Sequence, residues 1–173
     1  MDFQEILEHF PIGITGDILA ETVIRQKENL TGLWEFALSN QKHCWRGAWL
    51  MDKINDKAPE LIAPFIPDII KLIPTLKNDG LKRHFLKIAC QHGLPGDLSG
   101  DLLDCCFNWV QSSSEAVAIR CWAMDALIIF ADRYPEIKQE LIAILEEQLP
   151  EATPGFRTRA RKTIKALGRM QEV

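Results

Sequence analysis

Four histidines and five cysteines are the residue types in this 173-residue chain that could hold a metal or act as nucleophiles. A metal site needs three or four ligands that converge on the ion. His43 adjoins Cys44, Cys90 lies close to His92, and His84 sits further back along the same stretch. None of these spacings is that of a zinc site, and none of the cysteines forms a CxxC pair. Cys105 and Cys106 are vicinal, but a helix points neighbouring side chains about 100° apart, which disfavours a disulfide. The cysteine count is odd, and most of Cys44, Cys90, Cys105, Cys106 and Cys121 fall at apolar helical positions. Reduced, buried thiols in a cytoplasmic protein account for them. Nucleophilic catalysis needs Ser or Cys beside a base and an oxyanion hole. Ser112, Ser113 and Ser114 instead read as the loop before a helix, and GLPGDLSGD from Gly93 is too irregular to cradle a phosphate. No catalytic residue, metal site or cofactor is expected, and the chain is not read as an enzyme.

The charged residues carry more pattern. Arg46, Arg83 and Arg120 recur at intervals of 37 residues, and RGAWLMDKI from Arg46 shares an Arg, an early Trp and a Met-Asp pair with RCWAMDALI from Arg120. Arg120 falls near the middle of a wide apolar arc, where an unpaired guanidinium would be very costly and needs a carboxylate or carbonyl partner. Near the C-terminus, residues 152–171 hold Arg157, Arg159, Arg161, Lys162, Lys165 and Arg169 with no Asp or Glu. That segment is +6 in a chain of net −4, which leaves −10 for the remainder. Such a helix is either a cap with a solvated basic face, packed against an acidic helix over 136–147, or a patch for an anion, an acidic partner or a nucleic-acid backbone.

These residues are positioned by helices. Residues 114–149 read as two helices meeting at Tyr134-Pro135. Ser112, with Glu115 three residues on, has the spacing of a capping box. Val117, Cys121, Met124 and Ile128 share one face of the first helix, and Ala116, Ile119, Ala123, Leu127 and Phe130 share the next, so this helix is packed on several sides. Pro135 suits the first position of the second helix, whose stripe is Ile137, Leu141, Ile144 and Leu145. Two helices joined by a tight turn cannot hide both stripes alone and need neighbours of the same kind. Upstream, Phe3, Ile6, Leu7 and Phe10 form one face, ended by Pro11-Ile12-Gly13. Ile18, Leu19 and Val23 point inward from a helix over 17–27, and Asn29 is placed to cap a third helix carrying Leu30, Leu33, Trp34, Ala37 and Leu38. Further helices are expected at 41–57, 65–77, 80–91, 98–110 and 153–170, the last opened by Thr153-Pro154. Gly93 to Gly96 make a turn. No segment alternates with period two, so the fold class is all-α.

The 37-residue period, with downstream prolines at Pro59, Pro95 and Pro135, resembles HEAT and armadillo-type repeats over about residues 41–170. The resemblance implies a short right-handed superhelix, an α-solenoid of antiparallel helix pairs. Within one domain over 1–173, cap helices would occupy 1–40, repeats 41–80, 81–113 and 114–150, and a C-terminal capping helix 153–170. It also implies a polar ladder between repeats, with Arg46, Arg83 and Arg120 in equivalent places and Asp52 and Asp125 as partners. The stretch AMDALIIFADRYPEIKQELIAILEEQLPEATPGFRTRARKTIKAL is similar to a small Bacteroidetes group of helical-repeat proteins, some of them labelled adenylosuccinate lyases. That lyase's serine-rich signature loop with its Met-Pro-x-Lys is absent here.

A solenoid needs no catalytic residues, and the implied function is a scaffold for a protein or peptide, with Trp34, Trp45, Trp49, Trp109 and Trp122 as packing groups or anchors. The alternative is a nucleic-acid binder resembling the HEAT-type DNA alkylpurine glycosylases, for which reversal of Arg157, Arg161 and Lys165 to Glu would abolish binding. No membrane is expected: MDFQEILEHF lacks the order of a signal peptide, and 61–76, the most apolar stretch, is broken by Pro64, Pro67, Asp68, Lys71 and Pro74.

Overall fold

The structure is a computed structural model that describes residues 1–8, 14–95 and 100–170. Every regular element among them is helical, and no strand occurs there. They fall into two compact units, Met1–Ile88 and Ala89–Val173.

The first unit holds α1 (Phe3–Glu8), α2 (Ile14–Arg25), α3 (Leu30–Leu38), α4 (Trp45–Lys57), α5 (Pro59–Ile62), α6 (Ile66–Leu72) and most of α7 (Asp79–Gln91). Its centre is α4, against which α2 and α3 pack. Leu50, Met51 and Ile54 of α4 are fully buried with Leu33 and Ala37 of α3. The helices approach closely because Gly47 has no side chain: a Cβ there would lie 2.9 Å from the Ala37 Cα. In α2, Leu19 and Val23 point inward as expected, but Ile18 does not; it is 59% exposed. The stripe is narrower than its apolar letters suggest. Leu38, at the end of α3, is exposed for the same reason. Asn29 does not cap α3. It has helical backbone angles in a 3-10 turn, Lys27–Asn29, and its amide Nδ2 donates to the Gln26 carbonyl at 3.2 Å. Phe10 and Pro11-Ile12-Gly13 lie outside the described residues.

Prolines divide the segment expected to form one helix over 65–77. Pro59, Pro64, Pro67 and Pro74 each stand at the first or second position of a short piece: α5, the 3-10 turn Ala63–Phe65, α6 and the 3-10 turn Ile73–Thr75. A proline fits a first turn, where its missing N–H is not needed, and breaks the ladder anywhere later. Ile62, Ile66, Ile69 and Ile73 still keep one buried face across the breaks.

In the second unit α9 (Val117–Arg133) is flanked by α8 (Gly100–Gln111), α10 (Ile137–Gln148) and α11 (Pro154–Arg169). This is why its buried residues run from Ile119 and Arg120 through Ala123, Met124, Ala126 and Leu127 to Phe130 and Ala131. Ser112 and Glu115 form no capping box: α9 starts only at Val117, and the Ser112 hydroxyl lies 2.8 Å from that of Ser114 in the connecting turn. Pro135 stands in the turn before α10, two residues ahead of its first helical position. Thr153 does cap α11, its Oγ1 accepting from the Phe156 N–H, with Pro154 at the first helical position. Phe156, Ala160 and Leu167 are buried beneath it.

The C-terminus of α7 is a Schellman closure. The Leu94 N–H donates to the Ala89 carbonyl at 3.1 Å and the Gly93 N–H to that of Cys90 at 2.9 Å. Gly93 has φ +70° and Leu94, fully buried, φ +47°. Among the described residues nothing lies within 4 Å of where a Gly93 Cβ would stand, so Gly93→Ala adds backbone strain without a clash there. It is expected to lower stability by about 1 kcal/mol. Urea denaturation measures this, and an unchanged midpoint would remove the conformational argument.

Candidate functional site

Arg46, Arg83 and Arg120 stand near the starts of α4, α7 and α9. Arg46 Nη1 reaches the carbonyls of Leu7 and Glu8, which end α1. Arg120 is 8% exposed, and its Nε and Nη2 donate to the Val110 carbonyl, next to the end of α8, at 3.3 and 2.9 Å. It also donates to Gln148 Oε1, and its guanidinium lies 3.8 Å from the centre of the Phe156 ring. Arg83 Nη2 donates to His84 Nε2 at 3.0 Å.

The two aspartates proposed for the ladder find other cations. Asp52, in α4, lies 2.8 Å from His84 Nδ1 through Oδ2 and 2.7 Å from Lys87 Nζ through Oδ1. Lys87 also pairs with Asp56 at 2.9 Å. Arg83 can only donate, so His84 Nε2 accepts from it, and the ring proton sits on Nδ1 and is donated to Asp52. Burial pulls the Lys87 ammonium down, but its hydrogen bonds to Asp52 and Asp56 and their charges outweigh this and hold it above the ordinary lysine value. Asp125, in α9, accepts from Arg159 Nη1 at 3.1 Å. Burial raises its carboxyl above the usual range, and the Arg159 charge offsets part of that rise. The Arg159 guanidinium also lies 5.9 Å from the Trp122 ring.

Arg46 and Arg120 belong to a wider pattern of cations on helix C-termini. Arg133 donates to the carbonyls of Gly93 and Leu94 beyond α7, and Lys138 to that of Met170 beyond α11. Arg157 donates to those of Leu149, Pro150 and Ala152 beyond α10. The last carbonyls of a helix have no partner within it and carry the negative end of its dipole, so a cation there satisfies both needs. Sequence reading allowed a carbonyl partner for Arg120 but could name only the carboxylates Asp52 and Asp125. A backbone carbonyl is common to every residue, and no letter marks which one is free.

This sorts the six basic residues of the C-terminal segment. Arg157 is held by backbone carbonyls and Arg159 by Asp125. Arg161, Lys162, Lys165 and Arg169 are exposed, and none of them forms an ion pair among the described residues. Arg161, Lys165 and Arg169 are spaced at i, i+4 and i+8, so they form one ridge about 12 Å long on α11. Although α10 packs against α11, none of its carboxylates forms an ion pair with that ridge among the described residues.

The tryptophans mostly pack. Trp34 meets the Phe65 and Phe85 rings at 5.4 and 5.6 Å, and Trp109 is buried in α8. Trp45 and Trp49 lie where Gly80 and Gly16 leave room for them. Of the five cysteines expected to be buried, Cys106 is, and Cys44, Cys90, Cys105 and Cys121 are half-buried. Burial raises Cys90, Cys106 and Cys121 above the ordinary cysteine value, which keeps them as unreactive thiols. Among the described residues no three His, Cys, Asp or Glu side chains converge as metal ligands, and no helix is long and apolar enough to cross a membrane.

Comparison with known proteins adds one finding. The family model of the HEAT repeat domain matches residues 12–167. Neither the curated proteins nor the solved structures yield a match.

Proposed function

The chain belongs to the HEAT repeat domain family, and from that premise we propose that it is a non-catalytic scaffold that binds an acidic protein or peptide segment through α11. Repeat domains offer long packed surfaces and commonly serve as binding platforms. The observation that carries the reading is the exposed ridge of Arg161, Lys165 and Arg169, with Lys162 beside it, which no carboxylate of the described residues pairs. Elsewhere in the same segment, cations with a structural task have found their partners. A row of unpaired cations on one helix face attracts an acidic chain over a distance of about a Debye length.

The competing reading is nucleic-acid binding through the same cations, since phosphate contacts supply most non-specific affinity. The Trp122, Asp125 and Arg159 cluster in α9 and α11 favours it, because an aromatic beside a charged pair suits a base. The net charge of −4 opposes it.

The test is fluorescence anisotropy with labelled polyglutamate, single-stranded DNA and duplex DNA at low and moderate salt. Arg161, Lys165 and Arg169 are reversed to Glu together. Arg157 is left intact, since its three carbonyl bonds make it part of the fold. Polyglutamate is expected to bind, and the reversal to weaken it about tenfold or more, with the folding stability within about 0.5 kcal/mol of unchanged. Equal binding by the reversed protein would exclude the ridge. Binding of DNA without polyglutamate would replace the scaffold reading by the nucleic-acid one.

A further inference from the structure

Arg120 poses a problem that its structural bonds do not resolve. It is a buried cation, 8% exposed, and all its observed hydrogen-bond partners are neutral: the Val110 carbonyl and the Gln148 amide oxygen. No carboxylate of the described residues pairs with it. Its Nη1 group makes none of these bonds, and it is not among the sealed polar atoms without a partner. Arg120 lines a pocket of about 490 Å³ in the second unit, bounded by the end of α8, α10 and the start of α11. Nη1 therefore keeps accessible donors on a residue that lines the pocket.

The rest of the lining is mixed in a specific way. Ile144, partly exposed, gives an apolar wall, and Ser113 supplies a hydroxyl. Glu147 and Glu151 stand on the rim, both exposed. A carboxylate is the group that completes a guanidinium with free donors. Two rim carboxylates repel a phosphate dianion or a nucleic-acid backbone, and they favour a ligand that carries a cation beside its carboxylate. The volume lies within the range of small-molecule sites. Burial also lowers the Arg120 pKa from its ordinary value, which is the mark of a cation whose lost hydration has not been fully replaced.

We propose that this pocket binds a free α-amino acid, with its carboxylate on Arg120 Nη1, its ammonium between Glu147 and Glu151, and its side chain against Ile144. The site is separate from the α11 ridge, and neither reading depends on the other.

Ligand-observed saturation-transfer NMR on the full chain, with each of the common α-amino acids at about 10 mM, tests for binding in the range of weak metabolite sites. At least one apolar amino acid is expected to bind. Its methyl ester, which lacks the carboxylate charge, and its N-acetyl form, which lacks the ammonium, are each expected to bind about tenfold more weakly. The exposed pair Glu147→Gln and Glu151→Gln, which leaves the core intact, should weaken the amino acid and bring it level with its N-acetyl form. Arg120→Lys should weaken the amino acid and the N-acetyl form alike. The proposal is overturned if no amino acid binds, or if binding is indifferent to both derivatives and to the glutamine pair.

Discussion

Arg120→Ala is expected to lower stability by about 3 kcal/mol, through a lower denaturation midpoint at unchanged slope. The substitution removes several contributions at one place. The Val110 carbonyl loses both donors, and Val110 itself is fully buried; an unsatisfied buried acceptor costs about 1–3 kcal/mol. Gln148 loses its donor. The Phe156 ring loses a guanidinium at 3.8 Å, a contact of about 0.5–2 kcal/mol, and a void opens beside it. Against these gains stands the burial of a cation with no carboxylate, which is why the total stays near the cost of two or three contacts. Two further variants separate the causes. Arg120→Met fills the space and discards the charge, so it restores packing but not the polar bonds. Arg120→Lys keeps the charge but cannot make the guanidinium's forked bonds or its planar stack, and about 1–2 kcal/mol should be lost. If alanine left the midpoint unmoved, the bonds to Val110 and Gln148 would contribute nothing.

The second large effect is expected at Asp52. Asp52→Ala should cost about 3–5 kcal/mol, the usual loss when one partner of a buried pair is removed. Asp52 is 7% exposed and His84 6%, so water cannot replace the missing carboxylate. The loss spreads along the relay: His84 Nδ1 loses its acceptor, and Lys87 keeps only Asp56. Asp52→Asn preserves an acceptor for His84 and removes only the charge facing Lys87, so it should cost less. The pH dependence follows from Lys87, whose folded pKa lies above its ordinary value of 10.5. A raised lysine pKa means that the folded state holds its proton more tightly than the unfolded chain does. The stability it contributes is complete below the ordinary value and is lost as the pH climbs through the raised one. Denaturation midpoints taken from neutral to strongly alkaline pH should therefore fall in the wild type, and less steeply in Asp52→Asn. An identical alkaline decline in both proteins would show that Asp52 does not hold the Lys87 charge.

Much of this architecture is legible without coordinates. The apolar arc of α9 wraps more than one side, and α9 is indeed enclosed by α8, α10 and α11. The cap at Thr153-Pro154 was equally open to reading. Such features depend on residues a few positions apart, where period and cap chemistry speak directly. Local reading failed where a single letter was asked to do more. Ser112 and Glu115 have the capping-box spacing, yet the turn before α9 uses them otherwise. Ile18 is apolar, yet α2 presents that side to solvent.

The site residues divide along the same line. By itself, the sequence determined that the chain is helical, that arginines recur every 37 residues, and that the C-terminal segment carries +6. The tertiary structure decided what each charge meets: Arg120 a carbonyl and an aromatic face, Asp52 a histidine and a lysine, Asp125 the guanidinium of Arg159. It also decided which cations of α11 remain unpaired. The physical reason is reach. Helix formation follows from short-range periodicity, whereas a long charged side chain can span several ångströms in many directions, and the free carbonyls at a helix end look the same for every residue.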